Sequence, residues 1–189
     1  MLDDRPKRLQ TFWLAMLVEG GLAVLSLALG RLIGQPALGQ FRWDARDAAL
    51  GAAASVPLLV AFVLFQRWPL GPLARIKQFL DEFARPMFQE STLLELLLIS
   101  TAAGWGEEML FRAVLQGAFC RWSGPWIGVA TASLLFGLAH PITPLYTVWA
   151  GLIGVYLGWL AMASGNLLVV IVTHGLYDFV AICYLVRRR

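Results

Sequence analysis

LLELLLISTAAGWGEEMLFRAVLQGAF, residues 93–119, is an apolar run long enough to cross a bilayer, yet Glu107, Glu108 and Arg112 stand within it. A transmembrane helix needs about 20 mostly apolar residues. A charge at its centre costs about 2.5–3.5 kcal/mol on insertion scales, so ionisable groups there need partners or a water-filled cavity and are functional by default. The run therefore decides two things at once: the chain crosses a membrane, and it carries polar chemistry inside it.

The composition agrees. Of 189 residues, 59% are hydrophobic and 14% charged, with eight Trp, against about 45–50% and about 25% in soluble domains. This excludes an ordinary soluble domain and points to an all-α, polytopic membrane helix bundle, a single transmembrane domain over 1–189. Six stretches are long and apolar enough for spans: 11–33, 47–66, 92–119, 124–142, 144–164 and 166–186. The first, Phe12 to Ile33, is about twice the length of a signal-peptide core and reads as a retained helix. The connections after the third, fourth and fifth spans are very short, which makes those helices antiparallel neighbours.

Between the second and third spans lies PLARIKQFLDEFARPMF, residues 72–88. Leu73, Ile76, Phe79, Leu80, Phe83 and Met87 recur at helical spacing, with Arg75, Lys77, Asp81, Glu82 and Arg85 on other faces. That pattern predicts one amphipathic helix along the bilayer surface. Basic residues set the orientation. Arg5, Lys7 and Arg8, then Arg67, Arg75, Lys77 and Arg85, then Arg187, Arg188 and Arg189 share one side, against Arg42, Arg46 and Arg121 on the other. Both termini are expected in the cytoplasm, as in a multi-pass protein of the cell or inner membrane. This clustering accounts for the net charge of +3 without a nucleic-acid partner. Cys120 and Cys183 fall at opposite ends of their spans, too far apart for a disulfide. Ala150, Gly154, Gly158 and Ala161 form a small-residue stripe, and Gly124 and Gly128 begin the fourth span; both read as close helix packing.

The intramembrane polar residues are Glu19, Glu95, Glu107, Glu108, Arg112, His140, His174 and Asp178. Glu95 is near its span's start and reaches the interface. Glu19 is deeper, with no second polar group at helical spacing, and is given no chemistry. The others form three sets. In Glu-Glu-x-x-x-Arg, Glu108 and Arg112 are four apart and can pair, while Glu107, about 100° round the helix, is free to face a cavity. Gly104 and Gly106 before it would let substrate backbone or water come close. In Phe136-x-x-x-His140, Phe136 lies one turn before the imidazole, and Pro141 and Pro144 end the helix. In His174-x-x-x-Asp178 the carboxylate can hold one imidazole tautomer, or share a metal with it. At about 1.5 Å per residue, Glu107, His174 and Asp178 come to similar depths, with His140 nearer the cytoplasmic side.

Such a set in a water-poor cavity suits hydrolysis. Glu107 would be the general base for a water that His140 helps position, with His174 and Asp178 stabilising the oxyanion. The same Glu107, His140, His174 and Asp178 also suit one divalent metal such as zinc with an open water position. Spacing is compatible with either. No His-Glu-x-x-His helix, Gly-x-Ser-x-Gly elbow or Walker loop competes.

The three motifs, in this order on successive membrane helices within residues 92–186, resemble the CAAX-protease and bacteriocin-processing (CPBP) family of intramembrane endopeptidases. The resemblance implies that Glu107 is the catalytic glutamate, with His140, His174 and Asp178 completing the site and Glu108, Arg112 and Phe136 supporting it. It implies a membrane-associated protein or peptide as substrate. Members of this family have been described both as glutamate proteases and as metalloproteases. Its last motif often ends in Asn, and Asp178 departs from that by adding a negative charge. Two readings of other classes stand beside the peptidase: a non-catalytic membrane immunity or receptor protein, and a proton-coupled transporter using Glu107, His140 and His174. Against the transporter, no internal repeat is visible.

Overall fold

The computed structural model describes residues 5–71 and 73–187, the side chains of Arg5 and Pro6 excepted. Pro72, at the head of the amphipathic stretch, the terminal Arg188 and Arg189 and the Arg5 side chain lie outside the described residues. Among the described residues all regular elements are helical: α1 (Arg5–Leu32), α2 (Ala45–Arg67), α3 (Leu73–Phe79), α4 (Arg85–Phe88), α5 (Leu93–Glu108), α6 (Gly117–Ser123), α7 (Pro125–Leu138), α8 (Pro144–Ser164) and α9 (Leu167–Arg187). Two π-helical segments, Leu80–Ala84 and Met109–Gln116, join α3 to α4 and α5 to α6.

Among the described residues four helices are long and apolar enough to cross a membrane: Lys7–Leu32 of α1, then α2, α8 and α9. The third expected span is a continuous helical run from Leu93 to Ser123 that changes register through its π-helical middle. The fourth is shorter than expected. It ends at Leu138 because Pro141 cannot donate to a helical carbonyl, and the chain turns through His140 N–H to Gly137 O at 3.0 Å. Leu14, Leu17, Val24, Leu25, Val56, Val60, Leu152 and Val155 point outward, as lipid-facing side chains do.

Local signals place the ends. Asp44 caps α2 through Arg46 N and Asp47 N. Thr92 and Glu95 form a reciprocal capping box at α5, and Glu95 also meets Arg8 Nε at 3.4 Å; its carboxylate is thus structural. At the other end of the bundle Asn166 is nearly fully buried. It accepts from Arg42 N at 3.0 Å and Leu168 N at 3.1 Å, and donates to Arg42 O at 3.0 Å and Asp47 Oδ2 at 2.7 Å. This one amide fastens the α1–α2 loop to the α8–α9 turn, where Gly165 takes the left-handed conformation at φ 61°.

α9 is packed between α2 and α5, and α1 lies along α5. The densest core, with Val114, Leu157, Val169 and Val170 fully buried, joins the π-helical segment to α8 and α9. The small-residue stripe on α8 works by close approach. A Cβ on Gly154 would stand 3.1 Å from Ser133 Cα, and one on Gly158 would stand 2.6 Å from Gln116 Oε1. Gln116 Nε2 then reaches the Gly158 carbonyl at 2.9 Å. Cys120 and Cys183 are free thiols.

The amphipathic stretch is helical from Leu73 to Phe88 but not in one α-register. Ile76 is buried, and Leu73, Ile76, Phe79, Leu80, Ala84 and Phe88 face a cavity inside the bundle. Phe83 and Met87, expected on that same face, are 59% and 54% exposed. The π-helical turn at Leu80–Ala84 closes i to i+5 rather than i to i+4, so it rotates the remainder of the stretch about the helix axis. Ala84 and Phe88 take the inner positions, and Phe83 and Met87 turn outward. The outer polar face carries the Lys77–Asp81 ion pair and a Gln78–Glu82 hydrogen bond of 2.8 Å.

Candidate active site

Three helices bring the polar residues to one cavity of about 300 Å³. Glu107 comes from the last turn of α5, His140 from just beyond α7, and His174 and Asp178 from consecutive turns of α9. All four line the cavity, and Phe62, Phe79, Leu80, Phe88, Ile182 and Leu185 are among its apolar walls. Glu107 Oε2 stands 3.9 Å from His140 Nε2 and 3.9 Å from His174 Nε2. That oxygen is buried and has no hydrogen-bond partner among the described residues. α7 ends two residues before His140, whose Nε2 comes within 3.9 Å of Glu107 Oε2.

The adjacent carboxylates point to different sides. Glu108 is fully buried, with Oε2 at 3.2 Å from Arg112 Nε and Oε1 at 2.7 Å from His174 Nδ1. It is therefore a bridge from Arg112 on its own helix to the imidazole on α9. His174 Nε2, on the opposite edge of the ring, is left facing Asp178 Oδ2 at 3.3 Å and Glu107. The Arg112 side chain is buried too; Nη2 reaches the Gly154 carbonyl at 3.5 Å, and its guanidinium carbon lies 4.4 Å from the Phe136 ring centroid. A cation over an aromatic face is attracted by the ring quadrupole.

Phe136 thus has a buried cation near one part of its ring and His140 near another, the two ring centroids 4.7 Å apart. Its backbone carbonyl also meets His140 Nδ1 at 2.8 Å. A carbonyl only accepts, so Nδ1 carries the hydrogen and Nε2 of a neutral ring presents its lone pair toward Glu107. A long polar gap such as the 3.9 Å from Glu107 Oε2 to His140 Nε2 is one that a water spans well.

The metal alternative meets a different geometry. Donors sharing a zinc ion at about 2.0–2.2 Å in a tetrahedron stand about 3.4 Å apart. Both imidazole Nε2 atoms are 3.9 Å from the Glu107 oxygen they would share the ion with, and both Nδ1 atoms are engaged elsewhere. Among the described residues no group of three or more His, Cys, Asp or Glu converges as a metal site would. The donor set as placed does not fit a metal.

Gly104 and Gly106 serve a purpose other than the expected approach of substrate. A Cβ on Gly104 would lie 2.8 Å from Ile171 O, and one on Gly106 would lie 2.4 Å from Glu19 O. The missing side chains admit α9 and α1 against α5, which fixes the depth of Glu107 between them.

With this geometry in place, the relationship to known proteins is specific. Residues 89–180 match the family model described as type II CAAX prenyl endopeptidase Rce1-like. This segment, just under half of the chain, is similar to the CAAX protease family. No curated protein and no solved structure matches the chain. The segment matched to the CAAX protease family contains Glu107, Glu108, Arg112, Phe136, His140, His174 and Asp178, and leaves α1, α2 and the 73–88 helix outside. The match supports a CAAX protease-like peptidase, and the apolar helices support an integral membrane protein.

Two residues of this chain gain significance only in three dimensions. Glu19, on α1, has a buried Oε2 without a hydrogen-bond partner among the described residues, and its charge interacts with those of Glu107, His174, Asp178 and His140. Nothing at helical spacing on α1 signals this, because its neighbours come from other helices. Tyr146, in the first turn of α8, lines the cavity beside the four site residues. Its one signal in the sequence is proximity to the proline turn after His140.

Proposed function

We propose that this protein is an intramembrane endopeptidase that hydrolyses a peptide bond of a membrane-associated protein or peptide, with Glu107 as the base. The observation that carries this reading is the Glu107 carboxylate oxygen, buried, without a partner, and equidistant at 3.9 Å from two imidazole nitrogens in an apolar cavity. A water between Glu107 and His140 donates one hydrogen to each, which leaves its oxygen lone pairs free for the substrate carbonyl carbon. As the new carbon–oxygen bond forms, the water proton passes to Glu107 and the carbonyl π electrons move onto oxygen. His174, as an imidazolium that donates Nδ1–H to Glu108, stabilises that oxyanion from Nε2–H, with Asp178 steadying the ring. Collapse restores the carbonyl and breaks the carbon–nitrogen bond, and Glu107 returns the proton to the departing amine.

The apolar walls suit a substrate that lies at membrane depth, either an apolar peptide segment or a lipid-anchored chain end. The basic flanks support both termini facing the cytoplasm. The 73–88 helix, which lines the cavity, is then on that side.

The test compares membrane peptidomes of cells carrying wild type and Glu107→Gln at equal expression, because the amide keeps the shape and removes the base. A membrane protein that accumulates uncut only in the mutant establishes proteolysis and names the substrate. If the mutant keeps the biological effect and no termini change, the protein is a receptor or immunity protein instead.

A further inference from the structure

Tyr146 is held firmly and its hydroxyl is not used by the fold. The residue sits in the first turn of α8, where its backbone N–H donates to Thr143 Oγ1 at 3.1 Å. Its ring packs against the cluster of Leu110, Phe111, Phe136 and Ala150, and its centroid lies 6.4 Å from that of His140. It lines the same cavity as Glu107, His140, His174 and Asp178. Among the described residues no hydrogen bond engages its hydroxyl, and the charges that act on that group are those of Asp178 and Glu107.

Tyr146 is half-buried and its ring is fixed by packing, so a hydroxyl that the fold does not engage is free to donate to whatever occupies the cavity beside the buried base. We propose that Tyr146 is a further catalytic residue, its hydroxyl donating a hydrogen bond to the substrate carbonyl oxygen as that oxygen becomes the oxyanion. The donor joins His174 Nε2 from a different helix: His174 comes from α9 and Tyr146 from α8. Two donors from two helices define where the oxyanion sits, and hence which carbonyl of the bound peptide faces the water on Glu107. No bond to Tyr146 forms or breaks; the proton stays on the phenol.

This inference rests on the endopeptidase reading, and the test separates the two. The probe is the membrane protein that accumulates uncut in Glu107→Gln cells, labelled near its cleavage site. It is presented to the purified full chain in phosphatidylethanolamine–phosphatidylglycerol vesicles. Tyr146→Phe keeps the ring and removes the oxygen. The expected result is an unchanged thermal midpoint, a KM near wild type, and a kcat lowered by about a hundredfold to a thousandfold, the range for loss of one oxyanion donor. A wild-type kcat in Tyr146→Phe, or a rise in KM alone, overturns the role of Tyr146 while Glu107→Gln remains inactive. Hydrolysis by Glu107→Gln, or the absence of any protein that accumulates uncut, overturns the endopeptidase reading itself.

Discussion

Glu108 Oε1 accepts a 2.7 Å hydrogen bond from His174 Nδ1, linking the α5 motif to the α9 motif through the carboxylate that does not face the cavity. Glu108 is also paired with Arg112, so its charge is offset where no water reaches it. The consequence is orientation. With Nδ1 held, the His174 ring has one setting, and Nε2 faces Glu107 and Asp178.

Replacing Glu108 should therefore affect both fold and chemistry. Glu108→Ala leaves Arg112 as a buried cation without its counter-charge, a loss of about 3–5 kcal/mol, and frees the His174 ring. Thermal unfolding in detergent should show a fall of many degrees, and activity should be lost even at temperatures where the protein remains folded. Activity retained in the folded fraction would show that His174 does not need Glu108 to hold it.

Arg112→Ala should act through stability, because it strands Glu108 in the same way. The double variant Glu108→Gln with Arg112→Met, which removes both charges, should recover much of the thermal midpoint lost by Glu108→Gln or Arg112→Met alone, since contacting residues are not additive. The measurement is a double-mutant cycle on thermal midpoints. Additive losses would mean that the 3.2 Å pair contributes little.

The glycines of α5 give a sharper test of packing. Gly106→Ala puts a methyl 2.4 Å from the Glu19 carbonyl oxygen, and Gly104→Ala puts one 2.8 Å from the Ile171 carbonyl oxygen. Both partners are backbone atoms that cannot swing aside, so both variants should lower the midpoint and accumulate poorly. Gly151→Ala is the control: its nearest neighbour would be Ser133 O at 3.6 Å, and it should be neutral or gain up to about 1 kcal/mol from helix propensity. Equal behaviour of the three variants would remove the close-approach explanation.

Legibility in the sequence tracked the range of the physics. The helical bundle and the three motifs could be read because each is local: apolar runs about 20 residues long, and pairs one helical turn apart. The Glu108–His174 contact could not, since 66 residues separate the partners. Phe83 and Met87 were misplaced because amphipathic spacing assumes 3.6 residues per turn, and the π-helical turn at Leu80–Ala84 breaks that count. Gly104 and Gly106 showed that something comes close but not what; a glycine in sequence does not distinguish a substrate from a neighbouring helix.

That π-helical turn can be tested by side-chain size. Ala84 lines the cavity, whereas Phe83 is largely exposed. Ala84→Trp should fill space that the substrate needs and raise KM severalfold with little change in kcat, whereas Phe83→Trp should leave both near wild type. The reverse outcome would restore the uninterrupted α-register, in which Phe83 faces inward.

Glu19 makes a prediction of opposite sign. Its buried Oε2 has no hydrogen-bond partner, and Glu107 and Asp178 add like charge nearby, against the two histidines. Leaving a buried acceptor unsatisfied costs about 1–3 kcal/mol, more for a charged group, and the backbone contact with Gly106 needs no carboxylate. Glu19→Leu should therefore raise the thermal midpoint by several degrees, with wild-type hydrolysis of the substrate identified from the Glu107→Gln cells. A fall in kcat in a variant that folds as well as wild type would instead make Glu19 a working member of the site. Its coupling to all four cavity residues would then be part of the chemistry rather than a tolerated strain.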